Sequence, residues 1–268
     1  SPHPVGVPPP CRGPPTPSGS PHPVGVPPPC RGVGEMSYLY PMKLTTTEKF
    51  LLIAHHPEKG RFKLSGVHLQ YGTIGALLMD LSLAGRVLLE QDRLALQPKE
   101  QGDDPVAEEI AMRIRGEIRP RKIRYWISRL ARRARKYRWM ILEGLAARSV
   151  VRIEQRRFLG LIPYRKSYLT DSYRRSELIR QLREDILFQH EVDDEIIALA
   201  GMIQACTMYR FLSPDREERK KLKTGIRRMV ETSPMEGIVA QTSRQIQAAI
   251  MAAIVASTAA SSSAAGSH

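Results

Sequence analysis

Apolar residues recur at steps of three and four along much of this chain, the spacing that lines one face of a helix. The clearest stripe is Ile123, Ile127, Leu130, Ala134, Tyr137, Ile141 and Leu145, which predicts one amphipathic helix with Arg124, Arg132, Arg135 and Arg138 outside. Upstream, Thr45 to Thr47 followed by Glu48 offers a capping-box start to an apolar run over 50–54, which His55, His56 and Pro57 break. Residues 58–62 read as a turn. A second helix is expected from about 71 to 84, with Gly85 as its left-handed cap. Two β-prone pieces follow at 87–89 and 94–96. Asp104 is a plausible N-cap, with Pro105 at the first helical position and Glu108 and Glu109 favouring the dipole. Residues 149–154 and 156–161 read as short strands, with 162–171 as an exposed loop. Four more helices are expected at 176–189, 193–211, 215–231 and 237–257. The fold class is therefore mainly α, a helical bundle core with short β-hairpins in a single domain.

The two ends carry different patterns. Residues 1–13 return unchanged at 20–32, and proline and glycine at this density favour an extended, disordered leader over 1–35. Such segments recruit recognition modules, whereas a duplication directly ahead of Met36 is also what translated upstream sequence gives. The folded domain is expected over 36–258, with the Ser/Ala-rich 259–268 as a frayed tail. Residues 238–258 are apolar, but Gln241, Arg244, Gln245 and Gln247 interrupt them, so a buried terminal helix is the better reading than a membrane span.

Charge narrows the partner class. The 268 residues carry a formal net charge of +14, and ten Lys/Arg fall between Arg119 and Arg138 with no acidic residue among them. Such a segment attracts phosphate-rich surfaces: nucleic acid, anionic lipid headgroups or an acidic protein. Without carboxylates at helical spacing, the basic face repels itself until a partner neutralises it. Tyr125, Trp126, Tyr137 and Trp139 interleave with the arginines, which keeps single-strand nucleic-acid binding over 119–138 as the alternative. Against it, Tyr137 belongs to the apolar stripe and Trp126 flanks it.

Catalytic chemistry finds little support. There is no HExxH, paired-cysteine or GxSxG arrangement, and adjacent His55 and His56 do not easily share a metal. Cys206 sits alone in an apolar pattern and reads as a core residue, and the acidic cluster 191–195 reads as a helix N-terminus. Cysteine usage and the lack of a basic-then-apolar leader suggest a reducing, cytoplasmic setting. No metal, no cofactor and no enzymatic activity are expected.

Five segments in register carry a resemblance: FLLIAHHPEKGRF at 50–62, GALLMDLSLAGRVLLE at 75–90, GDDPVAEEI at 102–110, LAARSVVRIEQRRFLGLIPYR at 145–165 and LSPDREERKKLK at 212–223. Together they resemble the Golgi phosphoprotein 3 family, in its bacterial-type form. The resemblance implies a mostly helical domain that binds phosphatidylinositol 4-phosphate in a shallow basic pocket at the cytosolic face of a membrane. It also implies an adaptor role with protein cargo, since eukaryotic members link Golgi glycosyltransferases to coat protein. The family's headgroup pocket uses two arginines three residues apart, which fall here on Arg135 and Arg138. Its tryptophan and third arginine fall on Ser65 and Ile74, so Lys59, Arg61 or Lys63 would have to replace the missing cation. Arg124 and Arg132 would add field. The family hairpin, associated with membrane insertion and self-association, corresponds to 158–169, with Leu161, Ile162, Tyr164 and Arg165 as candidate contacts to bilayer or to a second copy.

Overall fold

The computed structural model describes residues 43–98, 104–158, 161–188, 192–232 and 237–265. The proline-rich leader, Glu191 and the 159–160 hairpin tip lie outside the described residues. In chain order the elements are α1 (Thr46–Ala54), α2 (Gly66–Leu83), β1 (Val87–Glu90), β2 (Arg93–Leu96), α3 (Pro105–Arg115), β3 (Arg121–Lys122), α4 (Ile123–Ala131) and α5 (Ala134–Ala147). They continue with β4 (Val151–Phe158), β5 (Ile162–Leu169), α6 (Ser172–Phe188), α7 (Asp194–Ala205), α8 (Tyr209–Leu212), α9 (Arg216–Glu231) and α10 (Gly237–Ala265). Helices dominate, and two small antiparallel sheets, β1-β2-β3 and β4-β5, complete the fold.

The short α1 is held at both ends. Thr45 and Glu48 close the capping box, and the Asp80 carboxylate accepts from the backbone N–H of Thr46 at 2.8 Å and of Thr47 at 3.0 Å. At the other end, buried Arg175 donates to the carbonyls of Leu52 and Ile53 at 3.2 and 3.0 Å. An anion at the N-terminus and a cation at the C-terminus satisfy orphan backbone groups and complement the helix dipole.

Helix α2 is the bundle's centre, surrounded by α1, α4, α7 and α10. It begins at Gly66, earlier than the periodicity suggests, because Ser65 caps it through the His68 N–H while its first turn carries polar His68 and Gln70. It ends as expected, with Gly85 at φ 65. Close approach depends on its glycines: a Cβ on Gly72 would overlap the Phe50 ring and lie 2.8 Å from Cys206 Sγ.

Four other expectations are corrected. The basic segment is not one helix: the chain leaves α4 at Arg132 and restarts after Arg133 (φ −111, ψ 4), with β3 ahead of it. Ile127, Leu130, Ala134 and Tyr137 keep their spacing across this break, so periodicity conceals it. The presumed loop after 161 is strand β5, paired with β4 from Val151↔Leu169 to Phe158↔Ile162. The helix expected at 193–211 divides into α7 and α8, since Thr207 adopts φ 52. Helix α10 continues past 257 to Ala265, where alanine sustains helix. Among the described residues, no helix is long and apolar enough to cross a membrane.

Candidate anion-binding surface

The 58–62 turn is pinned from several sides. His56 N–H donates to the Arg61 carbonyl and Lys63 N–H to that of Ala54, each at 2.9 Å, and His55 bridges Phe62. His56 Nδ1 accepts from the N–H groups of Glu58 and Lys59, each at 3.1 Å. Lys59 and Arg61 stand exposed on this closed turn.

Beneath this chemistry His55 is a structural residue. Its Nδ1 lies 2.8 Å from the His56 carbonyl, which only accepts, so Nδ1 carries the proton and Nε2 accepts from the Ser167 hydroxyl of β5 at 3.0 Å. Burial, the largest influence, lowers the His55 pKa and favours this neutral ring. The ring meets Phe62 edge to face at 5.0 Å between centroids.

Phe62 in turn carries the Arg138 guanidinium, 5.4 Å from its ring centroid. Arg138 is half-buried on α5, and burial first, then the charge of Arg135, push it below its ordinary pKa. No carboxylate among the described residues forms a salt bridge with Arg135 or Arg138. A partly desolvated cation beside a second cation is relieved by an incoming anion. Arg138 thus meets the cationic turn through Phe62, with the charge of Arg135 acting on it.

Other candidates lie elsewhere. Arg132 lines a different cleft with Arg113, Arg129 and Arg133, and Arg124 is exposed on α4. Arg165 is committed to α5, pairing with Glu143 at 2.5 Å and stacking on Trp139 at 4.6 Å; it lines a shallow pocket with Arg135. Tyr164 is half-buried, with Lys166 Nζ 5.7 Å from its ring. Leu161 and Ile162 are 84% and 62% exposed beside the hairpin tip. Ile74 has no exposure and is closed to an anion, and Ser65 is the exposed N-cap of α2.

The basic segment is also less bare than its sequence suggests. Glu117 pairs with Arg121 and Arg129 at 3.0 and 3.1 Å, and Glu109 pairs with Arg113 and Lys136 at 3.0 and 2.6 Å. Arg113 and Arg121 are i,i+4 partners of these carboxylates, whereas only the fold delivers them to Lys136 and Arg129. Phe62 is the residue that sequence reasoning missed entirely, since no local pattern links it to Arg138.

Catalytic readings gain nothing here. Among the described residues no group of three or more His, Cys, Asp or Glu is placed to hold a metal ion. Burial pushes the Cys206 thiol up to about 12, which suits a core residue.

Fold and surface define a class: a mainly α-helical domain presenting an arginine-rich face. The chain belongs to the Golgi phosphoprotein 3 (GPP34) family, whose sequence pattern matches residues 47–253. No curated protein matches the chain.

Proposed function

We propose that this protein is a non-enzymatic peripheral membrane protein that binds anionic phospholipid headgroups, with Arg135 and Arg138 gripping the phosphate. The observation that carries the reading is Arg138 itself: half-buried, stacked on Phe62 and without a carboxylate among the described residues. Lys59 and Arg61 on the adjoining turn replace the cation that the family keeps at the position of Ile74. Family resemblance names phosphatidylinositol 4-phosphate as the preferred headgroup and an adaptor for protein cargo as the wider role.

Magnitudes favour two contacts acting together. Each cation near an anionic surface is worth about 1 kcal/mol, so the four named here supply around 4. Micromolar binding needs about 8 kcal/mol. Burying two large aliphatic side chains adds about 1.5–3 kcal/mol each, which exposed Leu161 and Ile162 offer. Trp126 and Tyr137 are core residues, which weakens the nucleic-acid alternative by removing two of its four stacking groups.

Liposome co-sedimentation across salt tests the reading, using neutral vesicles, vesicles with a simple anionic lipid and vesicles with phosphatidylinositol 4-phosphate at matched charge. Binding to anionic vesicles that is lost in Arg135→Ala/Arg138→Ala, with helicity unchanged, supports the site, and selectivity for the phosphoinositide supports the headgroup. Unchanged binding in the double variant sinks it, and binding to single-stranded nucleic acid alone would favour the alternative.

A further inference from the structure

A second concentration of guanidinium groups lies apart from the Arg135/Arg138 surface. Arg113 of α3, Arg129 of α4, and Arg132 and Arg133 at the α4–α5 break line a cleft of about 550 Å³ with Leu130. On α5 the buried Ala134 and Tyr137 separate Arg133 from Arg138, so the two sets occupy opposite flanks of that helix.

The charges of the cleft are unequally compensated. Arg113 donates from Nε and Nη2 to Glu109 at 3.2 and 3.0 Å. Arg129 donates to Glu117 at 3.1 Å and stacks on Tyr125 and Trp126 at 5.5 and 5.9 Å. These contacts fix two guanidiniums in place. The same two carboxylates are each shared with a cation that does not line the cleft, Lys136 and Arg121. Arg132 and Arg133 are exposed and form no salt bridge with a carboxylate among the described residues. Two anchored and two uncompensated arginines converge on one concavity, matching the charge of a phosphate dianion and the bidentate geometry it accepts. The break adds to this: the first amides of α5 have no side-chain cap, and helix N-termini favour anions.

We propose that the cleft formed by Arg113, Arg129, Arg132 and Arg133 is a second anion site, for a phosphate-bearing ligand with at least two negative charges. Such a group comes from a soluble phosphate compound or from a lipid headgroup. Ile118, 98% exposed and adjacent to Glu117 in sequence, provides an apolar contact that only the lipid source would use.

The test titrates the full chain with pyrophosphate at constant ionic strength, by calorimetry. Removing two charge-assisted contacts in Arg132→Ala/Arg133→Ala is expected to weaken binding about a hundredfold. Arg216→Ala/Lys223→Ala, with the same loss of charge on α9, should bind as the parent does. Arg135→Ala/Arg138→Ala removes the cations proposed to grip a lipid phosphate, and should still show the pyrophosphate site that Arg132→Ala/Arg133→Ala weakens, which separates failure here from failure of the membrane reading. Circular dichroism checks that each variant is folded. Absence of binding in the parent chain, or equal weakening in the α9 variant, overturns the proposal. Vesicles containing phosphatidic acid then assign the source: weaker vesicle binding in both Arg132→Ala/Arg133→Ala and Ile118→Ser supports a lipid ligand, and unchanged vesicle binding beside lost pyrophosphate binding supports a soluble one.

Discussion

The guanidinium of Arg138 rests 5.4 Å from the centre of the Phe62 ring, joining α5 to the turn that carries Lys59 and Arg61. The ring does two things: it covers a charge that is already partly desolvated, and it sets the distance between that charge and the turn. A cation–π contact of this kind is worth about 0.5–2 kcal/mol.

Phe62→Ala should therefore weaken binding to anionic vesicles about three- to tenfold, while Phe62→Tyr, which keeps the face of the ring, should stay near the parent. Co-sedimentation measures both. An alanine variant that binds as the parent does would detach Phe62 from the site.

Much of the fold was legible because its signals are local. Thr45 with Glu48, Asp104 with Pro105, and Gly85 each announce a helix end within a few residues, and each was found where expected. The break at Arg132 and Arg133 was not legible, since the apolar stripe remains in phase and arginine tolerates helix well. Strand β5 was hidden because its exposed half, starting with Ile162, Pro163 and Tyr164, does not alternate apolar with polar. Half of the candidate site, Arg135 and Arg138, came from family resemblance. The Phe62 contact to Arg138 did not, since tertiary packing alone brings the two together.

Stability should also report on His55. Its folded pKa lies below the ordinary 6.5, so the unfolded chain binds the proton more readily. The contribution is complete above pH of about 6.5 and is lost as pH falls from there through the lower folded value. Thermal melts between pH 7.5 and 5.5 should show a falling Tm in the parent and a shallower fall in His55→Gln. Equal slopes would show that His55 is not the group responsible. The lowered carboxylates, Glu109 and Glu195 among them, act in a more acidic window below about pH 4.5.

Two glycine-to-alanine changes should have opposite signs. In α2, a Cβ on Gly72 meets the rigid, buried Phe50 ring, and overpacking of this kind costs about 1–3 kcal/mol, more than the helix propensity that alanine restores. In α5, a Cβ on Gly144 meets nothing within 4 Å, so Gly144→Ala should stabilise by up to about 1 kcal/mol. Urea unfolding midpoints decide it, and a stabilised Gly72→Ala would contradict the tight α1–α2 contact.

The hairpin offers the clearest separation of binding from folding. Leu161 and Ile162 are exposed on a hairpin that is held midway by the Arg165 contacts to Glu143 and Trp139, so polar replacements beside the tip remove no core contact. Leu161→Ser/Ile162→Ser should leave Tm within about 2 °C, because surface changes of this sort are worth less than about 0.5 kcal/mol. If the pair enters the bilayer, the transfer energy lost is about 3 kcal/mol, a reduction of about a hundredfold in vesicle affinity that high salt does not reproduce. The same residues also suit an interface between two copies of the chain. Sedimentation of the parent and the variant without lipid distinguishes the two uses: a change of mass alone assigns the tip to self-association, and lost vesicle binding at constant mass assigns it to the membrane. A variant that matches the parent in both would remove the tip from the functional surface.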